Sequence, residues 1–356
     1  MKKHNFSAGP CILPQEVFQQ ASEAILNFNN LDLSLLEVSH RSPDFMEVMD
    51  KAQTLVKELM GLPSGYSALF LQGGASMQFL MTPYNLMKEG GKAAYLNTGA
   101  WAKKAIVEAR RFGEVELIGS SEDSNYNYIP KGYDTTKAFD YFHCTSNNTI
   151  FGTQIHDFEL FENALNVCDM SSDIFSREMD FSKFDLIYAG AQKNIGPAGT
   201  TLVVVKDEIL GNTGRDIPSM LNYQLYSSKG SMFNTPPVFA VYVSMLTLEW
   251  LKNNGGVAAI EKVNNTKAEL LYTEIDRNPL FEGVANVDDR SKMNATFILK
   301  DEVNKARFDQ LWKEAGINGL GGHRSVGGYR ASMYNALPLE GVKVLVDIMK
   351  ELEKKA

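Results

Sequence analysis

Cysteine is scarce in this chain: Cys11, Cys144 and Cys168 are the only three among 356 residues, and they lie far apart. An odd, widely spaced set fits reduced thiols better than a disulfide framework or a zinc site. Histidine is scarce as well. His4, His40, His143, His156 and His323 show no HExxH or paired-ligand spacing, so no metal is expected. No run of about 20 apolar residues could cross a bilayer, and the stretch ahead of Phe6 has no apolar core of a signal peptide. The expected location is the cytoplasm. A formal net charge of −8 argues against a general nucleic-acid or membrane surface, although a local basic pocket can still gather a small anion.

What is present is the composition of an ordinary globular protein, 44% hydrophobic and 22% charged, with enough apolar surface for a substantial core. The length exceeds one average domain. Apolar positions Phe45, Met49, Ala52, Val56 and Leu59 recur at helical spacing between Ser42-Pro43 and Gly61, which suit a cap, a first turn and an exit. Beyond them, Ala68 to Leu71 reads as a strand, Gln72-Gly73-Gly74 as a turn, and Phe79, Leu80, Tyr84 and Leu86 as a helix. Further short apolar runs follow at Ala93 to Leu96, Val115 to Ile118, Phe139 to His143, Ala164 to Cys168, Leu186 to Ala189 and Thr201 to Val205. Several alternate with helical segments, the pattern of an α/β fold with a mainly parallel sheet. After Pro236-Pro237 come two long helices, the second carrying Ile260, Val263, Leu270, Leu271 and Ile275. Strands at Ala295 to Leu299 and Arg330 to Tyr334 and a closing helix from Leu339 complete the chain. The expected division is an N-terminal segment, 1–15, a large domain, 16–255, and a smaller α+β domain, 256–356, packed closely together.

Lys193 sits in the glycine-punctuated turn between two apolar strands, Tyr188 to Gly199. Turn lysines are ordinarily solvated. A lysine that forms a Schiff base must instead be held at one point with its pKa lowered, and small flanking residues permit that close approach. Asp169 ends an apolar strand, at the carboxyl edge where parallel sheets bind ligands. Alone it could cap a turn; paired with Lys193, it is the candidate anion for the pyridinium nitrogen of a cofactor. The turn Gly73-Gly74-Ala75-Ser76 opens a helix whose free N–H groups can cradle one phosphate, and the nucleotide pattern GxxxxGK[ST] is absent. His40, Arg41, His323, Arg324 and Arg330 offer donors for a doubly anionic substrate.

The stretches Phe6 to Pro10, Ser39 to Ser42, Gln72 to Ser76, Tyr188 to Gly199, and Gly321 to Arg324 with Gly327 to Arg330 follow one another in the order found in a known family. In them the chain resembles the phosphoserine aminotransferases, a branch of the class-V pyridoxal-phosphate-dependent aminotransferases. The resemblance implies the fold-type I scaffold, with helices on both faces of the central sheet. It also implies pyridoxal 5′-phosphate, one per subunit, covalently on Lys193 with Asp169 at the pyridine nitrogen. Trp101 would lie against the ring and the Thr149 hydroxyl would contact it; Ala75, Ser76, Gln192 and, from a partner subunit, Asn234 and Thr235 would complete the phosphate cradle. Arg330 would hold the substrate α-carboxylate. His323 and Arg324, with His40 and Arg41 of a neighbouring copy, would receive the phosphate of phosphoserine or the distal carboxylate of glutamate. A homodimer with shared active sites, small anionic amino-acid and keto-acid substrates, and a place in serine and pyridoxine biosynthesis follow from the same resemblance, which also admits a phosphorylated hydroxythreonine. Some members place an arginine directly after the glycine turn where this chain has Ser76. Two other readings stay open: another class-V enzyme, such as a cysteine desulfurase or an alanine–glyoxylate aminotransferase, and a non-catalytic relative that binds a metabolite.

Overall fold

Seven strands form the central sheet of the computed structural model, which describes residues 3–355. The expected segment limits at residues 1 and 356 lie outside the described residues. Across the sheet the order is Tyr66–Leu71, Thr201–Lys206, Leu186–Gly190, Leu165–Asp169, Tyr141–Thr145, Lys92–Asn97 and Glu114–Ser120. All are parallel except Thr201–Lys206, which runs antiparallel to both neighbours. The central strands are apolar because helices cover both faces, so residues pointing either way are withdrawn from water. Leu186–Gly190 is buried throughout.

Helix Pro43–Met60 forms where its apolar spacing predicts. The Ser42 hydroxyl accepts from the Phe45 N–H at 3.4 Å, and Gly61 ends the helix in the left-handed region with φ 60°. Phe45, Met49, Ala52 and Val56 are its buried face, which packs against helix Val238–Asn253. The strand expected at Phe139 to His143 lies slightly later, at Tyr141–Thr145. Phe139 has left the sheet and sets its ring edge-on to Phe161, 5.6 Å between centroids.

A separate three-stranded antiparallel sheet, Tyr329–Ser332, Asn294–Leu299 and Phe281–Gly283, is backed by helices Gly256–Arg277 and Leu339–Lys355. Its core, which includes Leu271, Ile275, Phe297, Phe308 and Met349, is distinct from that around the large sheet. Helix Gly256–Arg277 departs from simple apolar spacing: Val263 is exposed, whereas Asn264 and Lys267 point inward. Lys267 is fully buried, and its ammonium donates to the carbonyls of Met333, Tyr334 and Leu337 at 3.0, 2.9 and 3.2 Å. Those bonds explain why the strand expected to reach Tyr334 stops at Ser332: the chain turns so that its carbonyls face the lysine. The turn is tied to the large sheet as well, because the Asn335 N–H donates to Asn194 Oδ1 at 3.0 Å, one residue past Lys193.

Replacing Lys267 by Met keeps the apolar stem but leaves buried carbonyls without a donor, so we expect a stability loss of roughly 3 kcal/mol. Urea denaturation of Lys267→Met measures it, and an unchanged midpoint would contradict the anchoring role.

Candidate active site

Every strand that feeds the site ends at one edge of the large sheet. Tyr66–Leu71 leads to Ala75 and Ser76, Lys92–Asn97 to Trp101, Tyr141–Thr145 to Thr149, Leu165–Asp169 ends on Asp169, and Leu186–Gly190 leads to Lys193. Because those strands are parallel, their carboxyl ends gather segments far apart in sequence. A cavity of about 150 Å³ lies among them, lined by Ala75, Ser76, Trp101, Thr149, Asp169, Gln192 and Lys193. That is about the volume that accepts one aromatic ring. A larger groove of about 730 Å³, between helices Pro43–Met60 and Val238–Asn253, contains none of the expected site residues.

The Lys193 turn is fixed by short-range bonds. The Ala191 N–H donates to the Thr200 carbonyl at 3.1 Å, and the Gly196 N–H to the Ala191 carbonyl at 2.7 Å. Any side chain at Gly196 would drive its Cβ to 2.5 Å from Ser244 Oγ, so this turn can approach helix Val238–Asn253 only as glycine. The Lys193 amine donates to Thr149 Oγ1 at 2.8 Å. Burial lowers its pKa to about 8; Asp169 opposes that shift and Arg330 adds to it. The amine is thereby brought within reach of its neutral, nucleophilic form.

Asp169 is buried, and its Oδ1 accepts from the Ser171 N–H at 2.9 Å and the Ser171 hydroxyl at 2.6 Å. Burial raises its pKa, against the lowering effects of Ser171 and Lys193. The carboxylate and the amine therefore face one cavity, each hydrogen-bonded to a hydroxyl residue of its own. Trp101 is partly buried and its indole Nε1 has no hydrogen-bond partner among the described residues. At the glycine turn, Gly73 and Gly74 have φ 89° and 66°, and helix Gly74–Leu86 starts there. The first N–H groups of a helix are donors without an intrahelical acceptor, and the positive end of the helix favours an anion.

The remaining expected residues do not line this cavity. Arg330 comes nearest: its Nη1 donates to the Thr149 carbonyl at 3.3 Å, while Nε is buried without a partner. His323 and Arg324 lie on the neighbouring glycine-rich loop, and the His323 pKa is lowered by burial and then by Arg330, Arg324 and Lys104. His40 is partly buried with an unpartnered Nε2, and Arg41 is exposed, both just ahead of helix Pro43–Met60. Asn234 Oδ1 accepts from the Tyr226 hydroxyl at 3.0 Å, and the exposed Thr235 gives its carbonyl to Gln72 at 2.7 Å.

Sequence reasoning missed several lining residues: Phe79, Thr145, Ser171 and Ser172. Ser171 had a usable signal, since aspartate commonly accepts from groups two residues on. Asn147 is a further missed lining residue, at the start of a buried network. Its Nδ2 donates to Ser172 Oγ at 2.8 Å and to Asn294 Oδ1 at 2.7 Å. Asn294 Nδ2 reaches Ser332 Oγ at 3.0 Å and the Tyr334 hydroxyl at 3.2 Å, and that hydroxyl donates to the Ala8 carbonyl at 2.8 Å.

Comparison with known proteins agrees with the geometry. The family described as aminotransferase class-V matches residues 3–345. The phosphoserine aminotransferase of Flavobacterium johnsoniae is 69% identical over the whole of both chains. A phosphoserine aminotransferase solved in a study of radiation damage to its Schiff base superposes with a TM-score of 0.96 at 43% identity, covering 100% of both chains. The pyridoxal-phosphate-bound phosphoserine aminotransferase of Trichomonas vaginalis gives a TM-score of 0.92 at 34% identity, covering 98% of this chain and 100% of that one.

With its pKa lowered to about 8, the Lys193 amine should become reactive toward an aldehyde as pH rises through that value, well before exposed lysines near their ordinary value of about 10.4. Reductive methylation of the cofactor-free chain across pH, read by mass spectrometry, should place the Lys193 midpoint lowest among its solvent-reachable lysines. A midpoint equal to that of the surface lysines would contradict the burial argument.

Proposed function

This chain belongs to the class-V aminotransferases, and on that premise we propose that it transfers an amino group reversibly between O-phospho-L-serine and 2-oxoglutarate, giving 3-phosphohydroxypyruvate and L-glutamate. The observation that carries the reading is the Lys193 amine, pushed toward neutrality in a ring-sized cavity that it shares with a buried carboxylate.

The residues present fit pyridoxal 5′-phosphate, carried covalently on Lys193. Asp169 has one oxygen engaged by Ser171 and can direct the other at a protonated ring nitrogen; Trp101 offers an indole face; Thr149 offers a hydroxyl; and the Ala75 and Ser76 N–H groups, with Gln192, can take the phosphate. Once bound, the cofactor supplies a carbonyl carbon for covalent attachment and an electron-withdrawing ring that stabilises charge at a substrate α-carbon. The rest of the work falls to side chains. Asp169 would keep a proton at the ring nitrogen, and its burial would strengthen that pairing because little water screens it. Trp101 would cover the ring and exclude water. The Lys193 Nζ, when not holding the cofactor, would remove the substrate α-proton and return one, a role suited to an amine with pKa near the working pH. Arg330, beside Thr149, holds the α-carboxylate with its guanidinium fork.

His323 and Arg324 receive the substrate phosphate together with His40 and Arg41 of a second copy in a homodimer, whose Asn234 and Thr235 complete the cofactor-phosphate site. Two facts support this arrangement: those four residues lie outside the one-chain cavity, and the buried His40 Nε2 lacks a partner among the described residues. The three free cysteines accord with the reducing cytoplasm, and among the described residues no helix is long and apolar enough to cross a membrane. A desulfurase needs an accessible nucleophilic thiol. Cys144 and Cys168 are buried in strands, and the Cys11 thiol, bonded to the Lys193 carbonyl at 2.7 Å, is pushed up to about 12 by burial.

The purified holoenzyme should show a cofactor absorbance change with phosphoserine and with glutamate that serine and alanine do not produce. An equal response to alanine would remove the phosphate specificity, and none with glutamate would end the aminotransferase reading. Asp169→Asn should retain cofactor but lose about 10²- to 10³-fold in turnover, the scale for removing one preorganised electrostatic group. Steady-state rates of that variant near the wild-type value would contradict its role.

A further inference from the structure

Helix Ala100–Ala109 carries two adjacent lysines with different surroundings. Lys103 is neutralised, its Nζ 2.6 Å from Glu122 Oε1. Lys104 has no carboxylate partner among the described residues; its Nζ lies 4.3 Å from the centroid of the Trp101 ring, one helical turn back. The same helix start docks the loop that bears the expected phosphate ligands. Val326, Ala100 and Trp101 all pack against one small apolar cluster, Tyr126, Ile150 and Phe151. The Val326 and Gly327 N–H groups donate to the His323 carbonyl at 2.9 and 2.8 Å, so His323 and Val326 belong to a single turn. Because the His323 turn and the start of the Lys104 helix rest on the same cluster, the two segments are neighbours. The lowered pKa of His323, to which Arg330, Arg324 and Lys104 all contribute, is consistent with that closeness.

Among the described residues Lys104, Arg324 and Arg330 all lack an ion-pair partner, and the glycine turn across the cavity contributes Ser76 rather than a cation. Unpaired like charges held together repel one another, and a multiply charged anion relieves that repulsion. Resting on the substrate reading above, we propose that Lys104 is a specificity-determining cation at the mouth of the site, favouring capture of the phosphorylated amino acid over its unphosphorylated counterpart. Its position over Trp101, one wall of the cavity, puts that charge beside the site.

The test compares wild-type, Lys104→Met, Lys104→Arg and Lys103→Met holoenzymes with phosphoserine and serine at low and high ionic strength. Lys104→Met should lower kcat/KM for phosphoserine roughly 2- to 5-fold, through KM with kcat kept, and flatten its salt dependence, as expected for a rim charge. The rate with serine should not change. Lys104→Arg should restore the wild-type values, and Lys103→Met should match them. Wild-type behaviour of Lys104→Met, an equal loss with serine, or failure of Lys104→Arg to restore would overturn the proposal. A wild-type enzyme without preference for phosphoserine would overturn the substrate reading as well, whereas a clear wild-type preference with a silent Lys104→Met variant would overturn the role of Lys104 alone.

Discussion

A lysine amine largely withdrawn from water opposite a buried carboxylate is the constraint on which the rest of this structure depends. Neither group is comfortable in that state: burial disfavours the charged form of each, lowering the pKa of Lys193 and raising that of Asp169. The chain supports both with hydroxyls, Thr149 for the amine and Ser171 for the carboxylate. The polarised gap between the two groups is where a cationic ring with an electrophilic carbon fits. The parallel sheet makes this possible, since the turns after four of its strands and the last residue of a fifth bring these groups to one edge.

Holding Arg330 in register with that gap is a second requirement, because it lies on the separate sheet. Three buried polar connections meet it. The chain of hydrogen bonds from Asn147 through Asn294 and Tyr334 to Ala8 crosses between the two cores. Asn335 grips Asn194 beside Lys193, and Lys267 anchors the carbonyls of the segment that carries Tyr334. Satisfied buried networks of this kind specify one arrangement, since shifting either sheet would leave several polar groups unpaired. A fixed relation between the two sheets follows from this arrangement.

Much of this was legible in the sequence. Helix Pro43–Met60 could be read from cap to exit, since cap chemistry and apolar period act locally, and the strand runs were apolar enough to reveal a sheet covered on both faces. Lys193, Asp169 and the glycine turn stood out because each combines an unusual residue with a strand end. What could not be read was convergence. Nothing local indicates that Asn147 meets Asn294, or that Lys267 faces inward from a helix whose apolar residues suggested another face. The strand end at Ser332 was missed for the same reason, its cause being a lysine on a distant helix. Lys104 matched no motif and stood beside another lysine; its place over the Trp101 ring, where Lys103 is paired with Glu122, distinguishes it.

The most direct test of the central claim is chemical. Reducing the holoenzyme with borohydride fixes the cofactor to whichever amine carries it, and peptide mapping by mass spectrometry identifies that residue. The account requires the phosphopyridoxyl group on Lys193, stoichiometrically and at no other lysine. Its appearance on another lysine, or an even spread over surface lysines, would contradict it.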